Sequence, residues 1–83
     1  GIVDALLNTA GIEVACLVRE ANSTTVKLSL RSRSYVNVAD LARSLTTMGG
    51  GHIRAAGAKI LSPLNEVMEQ LPLAITKAIE TEA

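Results

Sequence analysis

The residues with the most chemistry to offer run from Met48 to Gly57, in the order Met-Gly-Gly-Gly-His-Ile-Arg-Ala-Ala-Gly. Gly49, Gly50 and Gly51 lose more backbone entropy on folding than other residues would, so a run of three has to serve a purpose. With no side chains in the way, successive amide N–H groups can turn toward one point and form an anion-binding concavity. His52 and Arg54 add a ring donor and a permanent positive charge beside it. The stretch therefore reads as a phosphate-binding loop. A helix C-cap followed by a turn would need one glycine, not three. No Gly-Lys-Ser or Gly-Lys-Thr follows, so this is not a Walker A loop. It does not sit after a strand with a later acid closing a βαβ unit, so it is not a dinucleotide fingerprint either.

A second candidate is Arg31. From Thr25 the sequence alternates strictly, with Val26, Leu28 and Leu30 on one side of a strand and Lys27, Ser29 and Arg31 on the other. Arg31 stands at the end of that strand, where its planar guanidinium matches two phosphate oxygens and Ser29 or Ser32 can add a neutral hydrogen bond. The competing readings are structural: an ion pair between Arg31 and Glu13 on a neighbouring strand, and a backbone hydrogen bond for His52.

The charge distribution favours an anionic ligand. Net charge is zero, but Lys27, Arg31, Arg33, Arg43, Arg54 and Lys59 fall in a segment whose only acid is Asp40, giving it +5. Seven acids against Arg19 and Lys77 leave the flanks at −5. That segregation suggests a local positive field rather than a surface that coats nucleic acid. Tyr35 is the sole aromatic residue and the one candidate for stacking on a base. A two-metal hydrolase needs several carboxylates and imidazoles converging on one point, whereas this chain has one His and scattered acids, so catalysis by it alone is not expected.

The elements that must position these groups are legible in outline. Eighty-three residues make a single domain, residues 1–83, with a core of Leu, Ile, Val and Ala, since Trp and Phe are absent. Ile2, Val3, Leu6 and Leu7 are spaced for a short helix stopped by Gly11, and the abrupt opening suggests a chain cut from a longer protein. Ile12 to Arg19 reads as a strand, paired as a hairpin with the strand from Thr25 through turn formers at Ala21 to Thr24. Asn37 is a good N-cap for a helix carrying Val38, Leu41, Ala42 and Leu45. Ala58 to Leu61 reads as a short strand. Ser62 caps a last helix with Pro63 in its first turn and Leu64, Val67, Met68, Leu71, Ile75, Ala78 and Ile79 as its stripe. Pro72 should kink or divide that helix, and Thr81 to Ala83 should fray. The fold class expected is α+β, a small mixed β-sheet with helices packed on it and a Gly-rich loop between a helix and a short strand. Cys16 reads as a small core residue. No second Cys or His stands at metal-ligand spacing, and no segment suggests a membrane span or signal peptide, which points to a cytoplasmic domain.

Ser29-Leu30-Arg31-Ser32, followed by Gly49-Gly50-Gly51-His52 and Ala55-Ala56-Gly57, resembles the DHH-associated domain of the DHH-family phosphoesterases. The likeness covers nearly the whole chain and is greatest to the nano-RNase and pAp-phosphatase branch, although Met48 stands where that branch often has a fourth glycine. The resemblance implies a substrate-binding domain that closes over an upstream catalytic DHH domain. The upstream domain would hold two Mn²⁺ ions, and no cofactor would bind here. The substrates implied are short oligoribonucleotides, 3′-phosphoadenosine 5′-phosphate, or linear and cyclic dinucleotides. Arg31 would bind a phosphate or base edge, the backbone of Gly50 and Gly51 would approach it, and His52 would hydrogen-bond it. With Ser32, Gly49 and Arg54 these form the expected site. Alternatives are a RecJ-type single-strand exonuclease domain and a non-catalytic nucleotide-sensing module. Apolar faces on the terminal helices are compatible with a homodimer.

Overall fold

The strict alternation after Thr25 becomes the central strand of an antiparallel sheet. The computed structural model describes residues 2–5 and 13–82. Its elements are β1 (Ile2–Ala5), β2 (Val14–Asn22), β3 (Thr25–Ser32), α1 (Val38–Leu45), β4 (Gly49–His52), β5 (Ala55–Ile60) and α2 (Leu64–Glu82). The strands form one sheet in the order β1-β2-β3-β5-β4, and every neighbouring pair is antiparallel. The α+β class is as expected; the sheet is not mixed. β2 and β3, and β4 and β5, are joined as hairpins, and the chain passes from β3 to β4 through α1, so no parallel crossover is needed among them.

Several elements differ from the expectation for identifiable reasons. The first segment is a strand: Ile2–Ala5 pairs with β2, Ile2 opposite Arg19 and Ala5 opposite Cys16. Two β-branched residues at its start favour a pleated conformation, and pairing there also covers what would otherwise be the edge of β2. Leu6, Leu7 and Gly11, the rest of that expected helix, lie outside the described residues, as does Ile12. The glycine run is β4, a strand at the sheet edge, rather than a loop. Its partner β5 starts at Ala55, three residues before the expected strand, and takes in Gly57 because it is hydrogen-bonded on both sides, to β3 and β4. In α2 the carbonyl of Pro63, not Ser62, receives the first amides, from Glu66 at 3.1 Å and Val67 at 3.2 Å. The helix is not divided at Pro72, and it continues through Thr81, whose Oγ1 donates to the Lys77 carbonyl at 2.7 Å.

One face of the sheet is covered by both helices. Val14, Cys16 and Val18 from β2, Val26, Leu28 and Leu30 from β3, and Ala56 and Ala58 from β5 meet Val38, Leu41 and Ala42 of α1 and Val67, Leu71 and Ile75 of α2. Leu30 and Leu71 are fully enclosed, each contributing about 1.5–3 kcal/mol of transfer free energy. Cys16 belongs to this core, and burial pushes its thiol pKa up to about 11, so it stays a protonated packing residue. At the α1 start the Asn37 side chain accepts from the Asp40 amide at 3.0 Å, as its position ahead of the apolar stripe predicts. Among the described residues no helix lies over the opposite face of the sheet, and that face carries the candidate site.

Candidate functional site

Strand register decides which of the candidate residues meet. Residues directly opposite one another in an antiparallel ladder point to the same face. Arg31 is opposite Ala55, and Ala55 is opposite His52, so Arg31, Ala55 and His52 form one row across β3, β5 and β4. The row lies on the open face, and Ala15 continues it on β2. Arg31 and His52 stand two strand spacings apart, roughly 10 Å, with only a methyl group between them. The next row on the same face is Ser29, Gly57 and Gly50, a nearly bare floor beside the two donors. Beyond it Lys27 lies opposite Lys59, and Arg19 opposite Lys27.

The three consecutive glycines have three different reasons to be glycine. A Cβ on Gly49 would lie 2.6 Å from the Ala42 carbonyl carbon and nearer still to its oxygen, because α1 rests directly on the strand. Gly51 has φ +140°, and a Cβ there would lie 2.8 Å from both the Ala55 carbonyl oxygen and the Ala56 Cα. Those two are required by the fold itself. Gly50 is not: the nearest atom to its Cβ would be Nη1 of Arg43, at 3.8 Å. Gly57, directly opposite, would meet only the Leu28 carbonyl oxygen at 3.4 Å, an ordinary contact. Gly50 and Gly57 therefore leave exposed backbone on the open face that packing within the chain does not demand.

Arg31, Gly50 and His52 come together on this face, and Arg54 lies close by in the two-residue turn between β4 and β5. That turn is held in place: the Arg54 carbonyl accepts from the Ser32 amide and the Ile53 carbonyl from the Val38 amide, each at 2.9 Å. Ser32 is not brought into the group. It follows Arg31 and so faces the covered side, where its Oγ is buried without a hydrogen-bond partner. Ser29 is the hydroxyl that shares a face with Arg31. Arg31 Nη1 donates to the Leu30 carbonyl at 3.0 Å, leaving the other guanidinium N–H groups for a ligand.

Glu13 does not form the competing ion pair with Arg31. Its carboxylate accepts from the Tyr35 amide at 2.8 Å, the Ser34 amide at 2.9 Å and the Ser34 hydroxyl at 2.8 and 2.9 Å. The Tyr35 amide foremost, aided by the Ser34 groups and opposed by desolvation, holds the Glu13 pKa below the usual carboxylate range. Glu13, 7% exposed, is thus an anchor for the loop that follows β3. An acid at a strand start reads as an exposed charge until the loop folds over it.

Three further cationic residues lie near the site. Lys27 shares the face of Arg31 by strand alternation, and Lys59 joins it through the pairing of β3 with β5. Arg43 reaches Gly50 from α1, although its guanidinium is also paired with Asp40 at 3.2 Å on the exposed surface, a contact of little energetic weight. The acids Glu66, Glu69 and Glu80 are on α2, in the layer behind the sheet. These three acids are therefore kept away from the open face that carries Arg31, Lys27 and Lys59. Among the described residues no group of three or more His, Cys, Asp or Glu could hold a metal ion. Among them also, no helix is long and apolar enough to cross a membrane.

The fold of the chain, and most of its length, can be compared with known proteins. No curated protein matches the chain. Among solved structures, that of an exopolyphosphatase-related protein from Bacteroides fragilis is 29% identical, with a TM-score of 0.70 over 80% of this chain. The match takes up 19% of that protein, so the chain spans about a fifth of its length. Residues 1–81 match the DHHA1 domain, and the chain belongs to that family, the DHH-associated domains of the DHH phosphoesterases.

Proposed function

We propose that this chain is the substrate-gripping domain of a metal-dependent phosphoesterase that hydrolyses short oligoribonucleotides, 3′-phosphoadenosine 5′-phosphate or linear and cyclic dinucleotides. The observation that carries the reading is the pair of adjacent rows on the open face. Arg31 and His52 flank Ala55, and Gly57 and Gly50 beside them leave the backbone open to close approach. A phosphate seated there would receive charge-assisted hydrogen bonds from the guanidinium and a further one from the imidazole. The same donors, held by a rigid sheet, would stabilise charge developing on a transferring phosphoryl group. Chemistry belongs to an upstream catalytic domain with Mn²⁺ ligands, which this face would close against in a cytoplasmic enzyme.

A second reading is favoured by Lys27 and Lys59, which extend the cationic face beyond the glycine row. A RecJ-type enzyme acting on longer single strands, or one acting on a polyphosphate chain, would use them. A non-catalytic nucleotide-sensing module would use the grip alone.

In the intact enzyme, Arg31→Ala and His52→Ala should each raise KM or lower kcat while leaving metal binding intact. Unchanged kinetics in both variants would remove the assignment. Comparing dinucleotide with longer oligonucleotides in Lys27→Ala separates the first reading from the second, since only long substrates should suffer.

A further inference from the structure

The cleft at the end of the sheet, next to the phosphate grip, has a composition the grip does not account for. About 270 Å³ in volume, it is lined by Ser34, Tyr35, Val36, Asn37, Ile53 and Arg54. Ile53 and Arg54 form the turn that directly follows His52 and precedes Ala55, so one wall of the cleft continues the Arg31–His52 row. Tyr35, the only Phe, Tyr or Trp in the protein, also lines the cleft and is 43% exposed, while Ile53 is 58% exposed. A tyrosine ring, an isoleucine side chain and an arginine together at the rim of a cleft with otherwise largely polar lining suit a planar occupant that carries hydrogen-bonding groups at its edge.

Both lining segments are fixed before any ligand arrives. The amides of Ser34 and Tyr35 are bound to the Glu13 carboxylate, and the Arg33 amide donates to the Glu13 carbonyl at 2.8 Å. The turn at Ile53 and Arg54 is tied to β3 and α1 through the carbonyls of Arg54 and Ile53. The polar groups of the lining loops are thus largely used in building it, leaving the tyrosine ring, the Ile53 side chain and the Arg54 guanidinium for an occupant. Aromatic faces and guanidinium planes both stack on heterocycles.

We infer that this cleft is a nucleobase subsite: Tyr35 and Ile53 hold the base of the nucleotide whose phosphate lies between Arg31 and His52, with Arg54 at its edge or face. The inference rests on the phosphate-grip reading and goes beyond it, because it requires a nucleotide rather than a bare phosphate chain. Glu13 is a positioning residue for it, acting through the amide of Tyr35.

The chain supplies its own reporter. With no Trp and a single Tyr, its intrinsic fluorescence comes from Tyr35 alone. The probes are 5′-phosphorylated diadenylate and inorganic pyrophosphate, each followed both by tyrosine emission and by the NMR amide signals of Gly50 and His52. The expected result is that both probes move the amides but only the dinucleotide quenches Tyr35, saturably. Tyr35→Ala should weaken dinucleotide binding about five- to 100-fold, leave pyrophosphate binding unchanged, and be rescued by Tyr35→Phe. Amide shifts with the dinucleotide but no quenching, or equal affinity in Tyr35→Ala, would overturn the base subsite while leaving the grip intact. No shift and no quenching with either probe would overturn both.

Discussion

Alanine substitution along the glycine run separates what the fold needs from what a ligand needs. At Gly49 the new Cβ would collide with the carbonyl of Ala42, a backbone group held in α1 that cannot turn aside. Overpacking of that kind costs roughly 1–3 kcal/mol. Gly51→Ala adds backbone strain at φ +140°, another roughly 1–3 kcal/mol, to contacts at 2.8 Å with Ala55 and Ala56. A domain of this size has about 4–12 kcal/mol in total, so either variant should lose a large share of its stability. Gly50→Ala should behave oppositely. Its Cβ meets nothing closer than 3.8 Å, and restricting the unfolded chain should stabilise the fold by about 0.4–1 kcal/mol, raising Tm by a few degrees. If the exposed backbone at Gly50 is there for a phosphate, the same methyl group should weaken dinucleotide binding by about tenfold or more. Urea unfolding and NMR titration of all three variants make the comparison. Gly50→Ala destabilised as much as Gly49→Ala, or binding ligand like the parent, would refute the argument that this glycine serves the ligand rather than the fold.

Other parts of the structure make equally direct predictions. Glu13 has its pKa lowered in the folded state, so its contribution is fully present above the ordinary carboxylate pKa near 4.3 and disappears as pH falls through the lower folded value. Glu13→Gln should therefore be less stable at neutral pH and show a flatter acid limb in urea unfolding followed against pH; an acid limb identical to the parent's would contradict the anchor role. Leu71→Ala, which empties a fully buried position where α2 meets the core, should cost about 2–5 kcal/mol in the same assay. Asn37→Ala removes the cap of α1 and should cost about 1 kcal/mol, with a loss well below that showing that the cap bond to Asp40 carries little.

How much of this could be read in advance depended on the range of the signal. Alternation in β2 and β3, the turn at Asn22 and the cap at Asn37 are local, and each behaves as its sequence suggests; Asn22 Oδ1 accepts from the Thr24 amide at 2.9 Å, closing the expected hairpin turn. The glycine run misled because glycine has no strand propensity of its own. It becomes β4 because α1 must lie on the sheet edge, which only a residue without a Cβ permits at Gly49. The alanines of β5 are the trace of the same close packing, legible once the two segments are known to pair. Ile2 and Val3 fit a helical spacing as well as a strand, and the pairing with β2 that decides the matter is a contact across about sixteen residues. The site was partly legible for the same reason. Arg31, His52 and Arg54 were visible by type, and Lys27 shares Arg31's face by alternation, but the convergence of Arg31 and His52 and the addition of Lys59 to that face are consequences of register. The anchoring role of Glu13 was not legible, because its partners are amides of a distant loop.

The central claim, that Arg31 and His52 grip a phosphate over the bare glycine row, is most directly tested by NMR titration of this chain with a 5′-phosphorylated dinucleotide, repeated with Arg31→Ala. The account predicts saturable shifts at Gly50, His52, Arg54 and Ser29, weakened at least tenfold by the substitution, while residues of α2 stay still. Shifts of equal affinity in Arg31→Ala, or shifts confined to the helices behind the sheet, would contradict it.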